Sequence, residues 1–304
     1  MNVVIITTKA ERYHRYLCAE IAKQHNVVGV LHPISQSVSM SFSTKLTQHW
    51  KNMHKYGKVW YFLQKLVNNR FKPVGWNLFE DVSKAEQQYF PTADTDYQNF
   101  VAERAYDVED INAPAGVERL IELKPDVVIC SGGPIYRTPI IKAAGVMLNF
   151  HTGISPIYNG AWTIFWTYAN RQPHLTGGTL MKMSATVDGG NILAHYLPAI
   201  EADDTPGTLF MKSIIGGTSL YNQFLDDMAE GREYLTLPQG RPFHNYYNYE
   251  WTAYQTLAIE RFIRNKICQK FVRDEIIAKY WDIGDEQKAK RALKQTLLEM
   301  IYNG

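Results

Sequence analysis

The sequence predicts an α/β fold: a Rossmann-like, mostly parallel twisted sheet with helices on both faces, a basic helical insertion and a helical C-terminal extension. The first observation is that short β-branched runs alternate with segments of helical spacing, which is typical of βαβ units. The second is composition, since 45% of the 304 residues are hydrophobic and 20% are charged. These values indicate a globular chain with a sizeable core and exclude a disordered one.

The first βαβ unit occupies the N-terminal 33 residues. We expect a strand at 3–8, a helix at 10–24 and a strand at 27–32. The loop after the first strand reads TTKAER, which is not the G-x-G-x-x-G fingerprint of dinucleotide-binding proteins. A phosphate-binding P-loop motif is also absent from the sequence. The sheet therefore has to serve a ligand other than NAD or a P-loop nucleotide.

A basic segment interrupts the alternation. Residues 24–79 contain no Asp or Glu, and apolar residues at spacings of three and four over 42–72 predict an amphipathic helix, broken near Gly57. We expect the whole insertion to span about 38–100. It is either packed on the sheet with a solvated basic face, or in contact with a phosphorylated substrate or an anionic membrane. Its cations are Lys45, Lys51, Lys55, Lys58, Lys65, Arg70 and Lys72.

The α/β alternation resumes after the insertion. A helix at 205–230 follows Asp-Asp-Thr, a sequence suited to an N-cap. From residue 261 on the spacing is helical, so we expect a main domain of residues 1–235 and a mostly helical extension of 236–304. The other predicted elements are strands at 106–112, 126–131, 146–151, 178–184 and 192–200, and helices at 113–123, 138–144 and 163–170.

Several classes of protein are disfavoured by simple counts. Cys18, Cys130 and Cys268 are odd in number and far apart, which favours reduced buried thiols over a disulfide framework or a zinc site. No apolar run approaches the ~18 residues of a membrane-spanning helix, and the N-terminus lacks the features of a signal peptide. A net charge of +2 does not call for nucleic acid. We therefore expect a cytoplasmic protein without integral membrane association, metal or nucleic-acid partner.

The candidate site lies at the end of the strand predicted at 146–151. Asn149 and His151 are two residues apart, so their side chains leave the same face of that strand. The Gly- and Pro-rich loop 152–160 follows, and Asp188 sits in a Gly-flanked turn further on. An amide, an imidazole and a carboxylate can together bind a developing oxyanion and move a proton. Each feature alone is also typical of an ordinary capped loop or turn.

These segments together resemble a known family. The sequence LNFHTGISPIYNG, followed by TVDGGNIL and a Thr-initiated helix, is similar to the core of formyltransferases that use 10-formyltetrahydrofolate. That family includes methionyl-tRNA, glycinamide ribonucleotide and sugar N-formyltransferases. The resemblance extends from about residue 106 to 232 and faintly over 1–33. The matching positions, in order, are Asn149, His151, Pro156, Tyr158, Gly160, Thr179, Asp188, Gly190, Ile192 and Thr205.

The resemblance implies a role for each of these site residues. Asn149 would hydrogen-bond the formyl oxygen, His151 would stabilise the oxyanion and assist proton transfer, and Asp188 would hold the imidazole and take a proton from the amine. No metal is implied. The implied folate-lining residues are Gly133, Pro134, Ile135, Met183, Ser184, Ala185 and Val187, and the implied acceptor-binding residues are Ser155, Tyr158 and Asn159.

The identity of the acceptor is left open by departures from the family pattern. Residues 153–156 read Gly-Ile-Ser-Pro where the family often has Ser-Leu-Leu-Pro, and Asn159 stands where Arg or Lys is frequent. The C-terminal residues lack the strand pattern of the barrel that methionyl-tRNA enzymes carry. We expect transfer to the primary amine of a small molecule, an amino sugar on a nucleotide carrier. Alternatives are an amino acid or hydroxylamine in siderophore or peptide biosynthesis, and a catalytically silent folate-binding relative.

Two further expectations concern surfaces. The ring-rich segment RPFHNYYNYEW at 241–251 is either an acceptor-binding rim, where a base stacks on aromatic side chains, or an ordinary packed segment. We expect the protein to be a monomer or a homodimer.

Overall fold

The structure is a computed structural model. It describes residues 1–9, 11–34, 77–184 and 189–302, together with scattered positions between 46 and 63. The helices predicted at 42–72 lie largely outside these residues and stay a prediction. The described remainder of the predicted insertion, from residue 77 to 100, forms two helices.

Ten strands form within the described residues. Eight belong to one central sheet, while β6 and β9 form a separate two-stranded parallel pair. The strands are β1 (Asn2–Thr7), β2 (Asn26–Pro33), β3 (Ala105–Val108), β4 (Val127–Ser131), β5 (Met147–His151), β6 (Asn159–Gly160), β7 (Gly178–Lys182), β8 (Asn191–Leu197), β9 (Asn245–Tyr246) and β10 (Ile276–Lys279).

The central sheet has two halves. Its strand order is β10-β8-β7-β5-β4-β1-β2-β3. The pairs from β3 through β2, β1 and β4 to β5 are all parallel, which confirms the predicted Rossmann-like half. The pairs from β5 through β7 and β8 to β10 are antiparallel. The chain moves outward from β1 in both directions, so a topological switch point lies between β1 and β4.

Nine helices cover this sheet within the described residues. Thr205 caps the long helix α7, as predicted, by accepting a hydrogen bond from the Thr208 N–H. The helices are α1 (Arg12–Gln24), α2 (Leu78–Tyr89), α3 (Ala93–Phe100), α4 (Pro114–Glu122), α5 (Thr138–Ala144), α6 (Thr163–Ala169), α7 (Pro206–Ala229), α8 (Ala253–Arg264) and α9 (Glu286–Tyr302).

The core lies in two layers, one on each face of the sheet. Val3 and Ile5 of β1 pack with α1, α3 and α7. Val4 and Ile6, which alternate with them, pack with α4 and α5 on the opposite face. Because both faces of β1 are covered, its sequence is a nearly continuous run of apolar residues. This confirms the prediction of helices on both faces.

The expectation of continuous helical structure after residue 261 is wrong at one place. Residues Ile276–Lys279 form β10, which pairs antiparallel with β8 and extends the central sheet. A run of only four residues, Ile-Ile-Ala-Lys, is too short for periodicity to separate strand from helix, and the open edge of β8 decides in favour of a strand. Helices α8 and α9 flank it as expected. The proposed boundary at residue 235 stays a prediction.

Cys18, Cys130 and Cys268 are all buried and unbridged, as the sequence predicts. Burial raises the pKa of each thiol, because the charged thiolate is poorly solvated inside the protein. None of the described helices has the length and apolar character needed to cross a membrane.

Candidate functional site

A cavity of about 550 Å³ opens where β1, β4 and β5 end. Its walls come from the start of α1, the loop after β4, the end of β5 and the residues after β7. This is the carboxyl edge of the sheet beside the switch point, where open α/β folds bind ligands. Its volume is in the range of small-molecule pockets, roughly 300–1,000 Å³.

Strand β5 directs two polar side chains into this cavity. Asn149 is partly exposed, His151 is 8% exposed, and both line the wall. Phe150 packs in the core on the other face of the strand, as the two-residue period of a strand requires. The structure therefore brings together the amide and the imidazole that the sequence singles out.

The His151 ring is oriented by the loop that follows it. His151 Nε2 lies 3.0 Å from the backbone carbonyl of Tyr158. A carbonyl oxygen only accepts, so Nε2 carries the hydrogen, and in the neutral ring the lone pair is then on Nδ1. Gly153 makes this approach possible, because a Cβ there would lie 2.3 Å from the Tyr158 oxygen and 2.6 Å from His151 Nε2.

Tyr221 of α7 bridges β4 and β5 where the cavity begins. Its hydroxyl donates to the Cys130 carbonyl at 2.9 Å and accepts from the Phe150 N–H at 2.5 Å. A side-chain oxygen thus takes the place of a direct hydrogen bond between the strands. Sequence reasoning missed this residue, since nothing local marks a helical tyrosine as the partner of two strands.

The loop after β4 forms a wall built largely of backbone. Gly132 and Gly133 have φ values of +70° and +96°, which glycine adopts without strain. Side-chain atoms of Asn112 bind the Ile135 carbonyl at 3.0 Å and the Arg137 N–H at 2.7 Å, so the loop is held from outside the cavity. Gly133, Pro134 and Ile135, predicted to line the folate, do line this cavity.

The strand end opposite this loop is only partly described. Met183 and Ser184 line the cavity. Ala185, Val187 and Asp188 lie outside the described residues, so their predicted roles stay predictions. The described residues at this strand end and the loop after β4 thus line the same cavity.

The three residues predicted to bind the acceptor lie elsewhere. Ser155, Tyr158 and Asn159 are at most 1% exposed, and none lines the cavity. The Ser155 N–H donates to Thr179 Oγ1 at 2.9 Å, the Tyr158 hydroxyl donates to Gln172 at 2.6 Å, and Asn159 Nδ2 donates to Gln239 at 3.1 Å. These contacts fix the loop that positions His151, and the geometry lends no support to direct acceptor contact.

A second polar pair, which the sequence does not reveal, faces the cavity. His14 Nδ1 lies 3.1 Å from Ser131 Oγ, and both side chains are buried in the cavity wall. Burial lowers the pKa of His14 to about 3, so its imidazole is neutral at physiological pH. Its Nε2 is 3.7 Å from Glu11, beyond hydrogen-bonding distance. The two residues are 117 positions apart, and no local pattern connects them.

The ring-rich segment 241–251 is in part a packed segment. Tyr246 stacks on Tyr158 with centroids 4.9 Å apart, and Trp251 meets Trp166 edge-on at 5.0 Å. Phe243 is 75% exposed. Among the side chains of this segment that the structure describes, none lines the cavity.

Metal ligation has no evident location in the described part of the chain. There, no three His, Cys, Asp or Glu side chains lie close enough together to hold a metal ion. A metal-independent reaction stays a prediction.

The family model and the curated relatives that match this chain are all formyltransferases. The sequence profile of a family described as formyl transferase matches residues 77–221. Methionyl-tRNA formyltransferase of Lactiplantibacillus plantarum is 29% identical over 133 residues, covering 43% of this chain and 41% of that protein. The protein of the same name from Lactobacillus gasseri is 32% identical over 114 residues, covering 37% of this chain and 36% of that protein. The match thus spans about two fifths of the length of these relatives.

The fold has a counterpart among solved structures. A 4-N formyltransferase from Francisella tularensis superposes with a TM-score of 0.51 over 82% of this chain and 77% of that chain, at 12% identity. At this identity the likeness concerns the fold alone.

Proposed function

Residues 77–221 belong to the formyl transferase family, and on that premise we propose that the chain transfers a formyl group from 10-formyltetrahydrofolate to the primary amine of a small molecule. The acceptor we propose is an amino sugar on a nucleotide carrier. One observation carries the chemistry: Asn149 and His151 lie on one face of β5 in a cavity at the carboxyl edge of the sheet. An amide donor and an imidazole are the groups that attack of an amine on a formyl carbon requires.

The donor fits the wall that the described residues form. Gly133, Pro134 and Ile135 would hold the pterin from one side and Met183 and Ser184 from the other. The bound donor supplies the formyl carbon. Since the glycines of this loop leave backbone groups open to the cavity, recognition would depend on main-chain hydrogen bonds more than on side chains.

Asn149 and His151 would then serve the transfer itself. As the amine nitrogen bonds to the formyl carbon, negative charge grows on the formyl oxygen, and the Asn149 NH₂ group donates to it. The bond from that carbon to the folate nitrogen breaks, the amine loses a proton, and the leaving nitrogen gains one. Because His151 Nε2 donates to the Tyr158 carbonyl, Nδ1 is the atom of this ring suited to carry that proton. Asp188 would assist, as the family resemblance implies.

An acceptor screen tests the proposal. Free amino sugars, nucleotide-linked amino sugars, amino acids, hydroxylamines and methionyl-tRNA are incubated with 10-formyltetrahydrofolate, and the absorbance of released tetrahydrofolate is followed. Methionyl-tRNA is included because the two relatives carry that name. We expect a nucleotide-linked amino sugar to give the largest kcat/KM. Two outcomes contradict the proposal: tetrahydrofolate is released when no acceptor is present, or it is not released with any of these amines.

The coupling of two residues provides a second test. His151→Ala and Asp188→Ala should each lower kcat about a hundredfold or more, because each removes part of one proton-transfer unit. The double variant should be little worse than either single variant. Losses that multiply independently would contradict a shared role.

A further inference from the structure

A second cavity, of about 380 Å³, opens beside the first. The two cavities share part of their walls, namely Tyr13, Thr152, Trp162 and Phe210. Thr152 directly follows His151 and lines both cavities, so the second cavity adjoins the proposed formyl-transfer position. The outer wall of the second cavity is the first half of α2.

Aromatic rings form most of the shared wall. The Trp162 ring meets Phe79 edge-on at 6.4 Å and Phe165 edge-on at 6.5 Å. Phe79 remains 73% exposed, although it is large and apolar. Trp162 has a left-handed φ of +59°, which is an outlier for a bulky residue, and such strain concentrates at functional sites. These rings offer flat faces to a ligand ring.

Two carboxylates lie among these rings. Glu86 accepts from the Tyr13 N–H at 3.3 Å, and Glu11 accepts from the Thr8 hydroxyl at 2.9 Å. Burial raises the pKa of Glu86, and this outweighs the hydrogen bonds from the Tyr13 and Arg12 N–H groups, which lower it. Neighbouring Arg12 and Arg15 form ion pairs with Asp94 instead.

The described wall of this cavity contains no Lys or Arg. Carboxylates only accept hydrogen bonds when ionised, so their partners are hydroxyl, amide or ammonium groups. Along this described wall a phosphate would meet like charge and no lysine or arginine.

The geometry points to the second cavity as the site of the amine-bearing ring of the acceptor, a ring that carries hydroxyl or ammonium groups and keeps any phosphate outside this cavity. The inference rests on the proposed function and specifies its acceptor. The ring stacks on Trp162, its polar groups donate to Glu11 and Glu86, and its amine points past Thr152 toward His151. A nucleotide carrier then extends from the cavity mouth.

Filling the cavity tests this assignment. Ser83 is exposed on α2 and lines the second cavity only, so Ser83→Trp blocks it from the surface. Gln87→Trp, one turn further along the same exposed helix and outside both cavities, is the matched control. Calorimetric titrations of glucosamine and of a nucleoside-diphosphate-linked amino sugar are made on protein saturated with tetrahydrofolate.

We expect at least one of these two amino sugars to bind wild type and Gln87→Trp alike and Ser83→Trp at least tenfold more weakly. The tetrahydrofolate Kd should agree within about twofold in all three proteins. Equal amino-sugar binding by Ser83→Trp, or no amino-sugar binding by wild type, overturns the inference.

A charge variant tests the predicted chemistry of the ligand. Glu11→Gln keeps the size of the side chain and an oxygen for the Thr8 hydroxyl, but it removes the negative charge. Amino-sugar binding should weaken severalfold, and by more at low ionic strength than at high, because exposed charges are screened by salt. Unchanged binding at both ionic strengths contradicts a role for this carboxylate.

Transfer activity is read separately on the same samples. If Ser83→Trp loses amino-sugar binding but wild type shows no formyl transfer, the proposed reaction is contradicted and the assignment of the binding site stands. Transfer in wild type with an unchanged acceptor KM in Ser83→Trp contradicts the site and leaves the reaction standing.

Discussion

Gly153 controls the position of the His151 imidazole because no side chain separates the ring from the Tyr158 carbonyl. We expect Gly153→Ala to lower kcat by about a hundredfold, since a methyl group at that position displaces the ring and small displacements are costly in catalysis. Steady-state kinetics with saturating donor and acceptor measure the loss. Ser219→Ala, at an exposed position of α7 that does not line the cavity, is the control. A Gly153→Ala protein with wild-type kcat would show that the ring is not held this way.

Ser131 lies in the wall of the cavity that we propose to bind the donor. Its hydroxyl is paired with the neutral His14 ring in the cavity wall. We expect Ser131→Ala to raise the tetrahydrofolate Kd about three- to tenfold, the value of one hydrogen bond, and to leave kcat at saturation within about twofold.

For Ser131→Ala, equilibrium titration measures the tetrahydrofolate Kd and steady-state kinetics measure kcat. His14→Gln, which keeps a polar partner for Ser131, should have the smaller effect on Kd, whereas His14→Leu should match Ser131→Ala. A fall in kcat with unchanged Kd would place Ser131 in the chemistry instead.

Among the elements, α7 packs directly on Phe150 of β5, the strand that carries the site. A Cβ on Gly217 would lie 2.4 Å from the Phe150 ring, and one on Gly216 would lie 2.0 Å from Tyr196. Alanine normally favours a helix interior over glycine by roughly 0.5–1 kcal/mol. Here the added methyl group overpacks the helix against the sheet, so replacing glycine by alanine destabilises the protein.

We therefore expect Gly217→Ala to lower the free energy of unfolding by about 1–3 kcal/mol. Denaturant titration at constant m-value measures this change. Ser219→Ala, exposed on the same helix, should be neutral or slightly stabilising. A Gly217→Ala protein more stable than wild type would contradict close packing of α7 on β5.

Most elements of the sheet are predictable from sequence because their signals are local. The helix at 138–144 is predicted to the residue, and Asn149 and His151 follow from the two-residue period of one strand. His14, Trp162 and Tyr221 are not predictable this way. Each gains its place through contacts with residues distant in the chain, and no local pattern separates such a histidine, tryptophan or tyrosine from one that only packs in the core. β10 is missed for the same reason, since its strand conformation depends on pairing with the edge of β8, which its own four residues do not reveal.

The whole molecule carries a pH dependence set by buried histidines. His195 is fully buried, donates from Nε2 to the Ser155 carbonyl at 2.8 Å and lies 3.0 Å from the Tyr280 hydroxyl through Nδ1. Burial lowers the pKa of His195 to about 4 and that of His14 to about 3, against 6.5 for a free histidine. The unfolded chain therefore binds more protons than the folded one between pH 6.5 and about 4.

The stabilisation from these neutral rings is complete above pH 6.5 and is lost as the pH falls through this window. We expect each histidine to lower the free energy of unfolding by roughly 2 kcal/mol between pH 6.5 and pH 5. Urea titrations across this range measure the slope. His195→Gln should flatten it, whereas His244→Gln, at an exposed position, should not. A slope unchanged by His195→Gln would contradict the assignment.

The loop that orients His151 is held in part by residues made late in synthesis. Gly160 pairs with Tyr246, the Phe243 N–H donates to the Pro156 carbonyl, and Tyr280 contacts the His195 ring that binds Ser155. The ribosome completes β5 long before it reaches these partners. A nascent chain that has already folded its parallel strands, as N-terminal segments tend to do first, still has an unanchored loop beside His151. We therefore expect the proposed formyl transfer to begin only after translation has passed Tyr280, so that folding of the sheet and onset of this activity are separate events in the life of each chain.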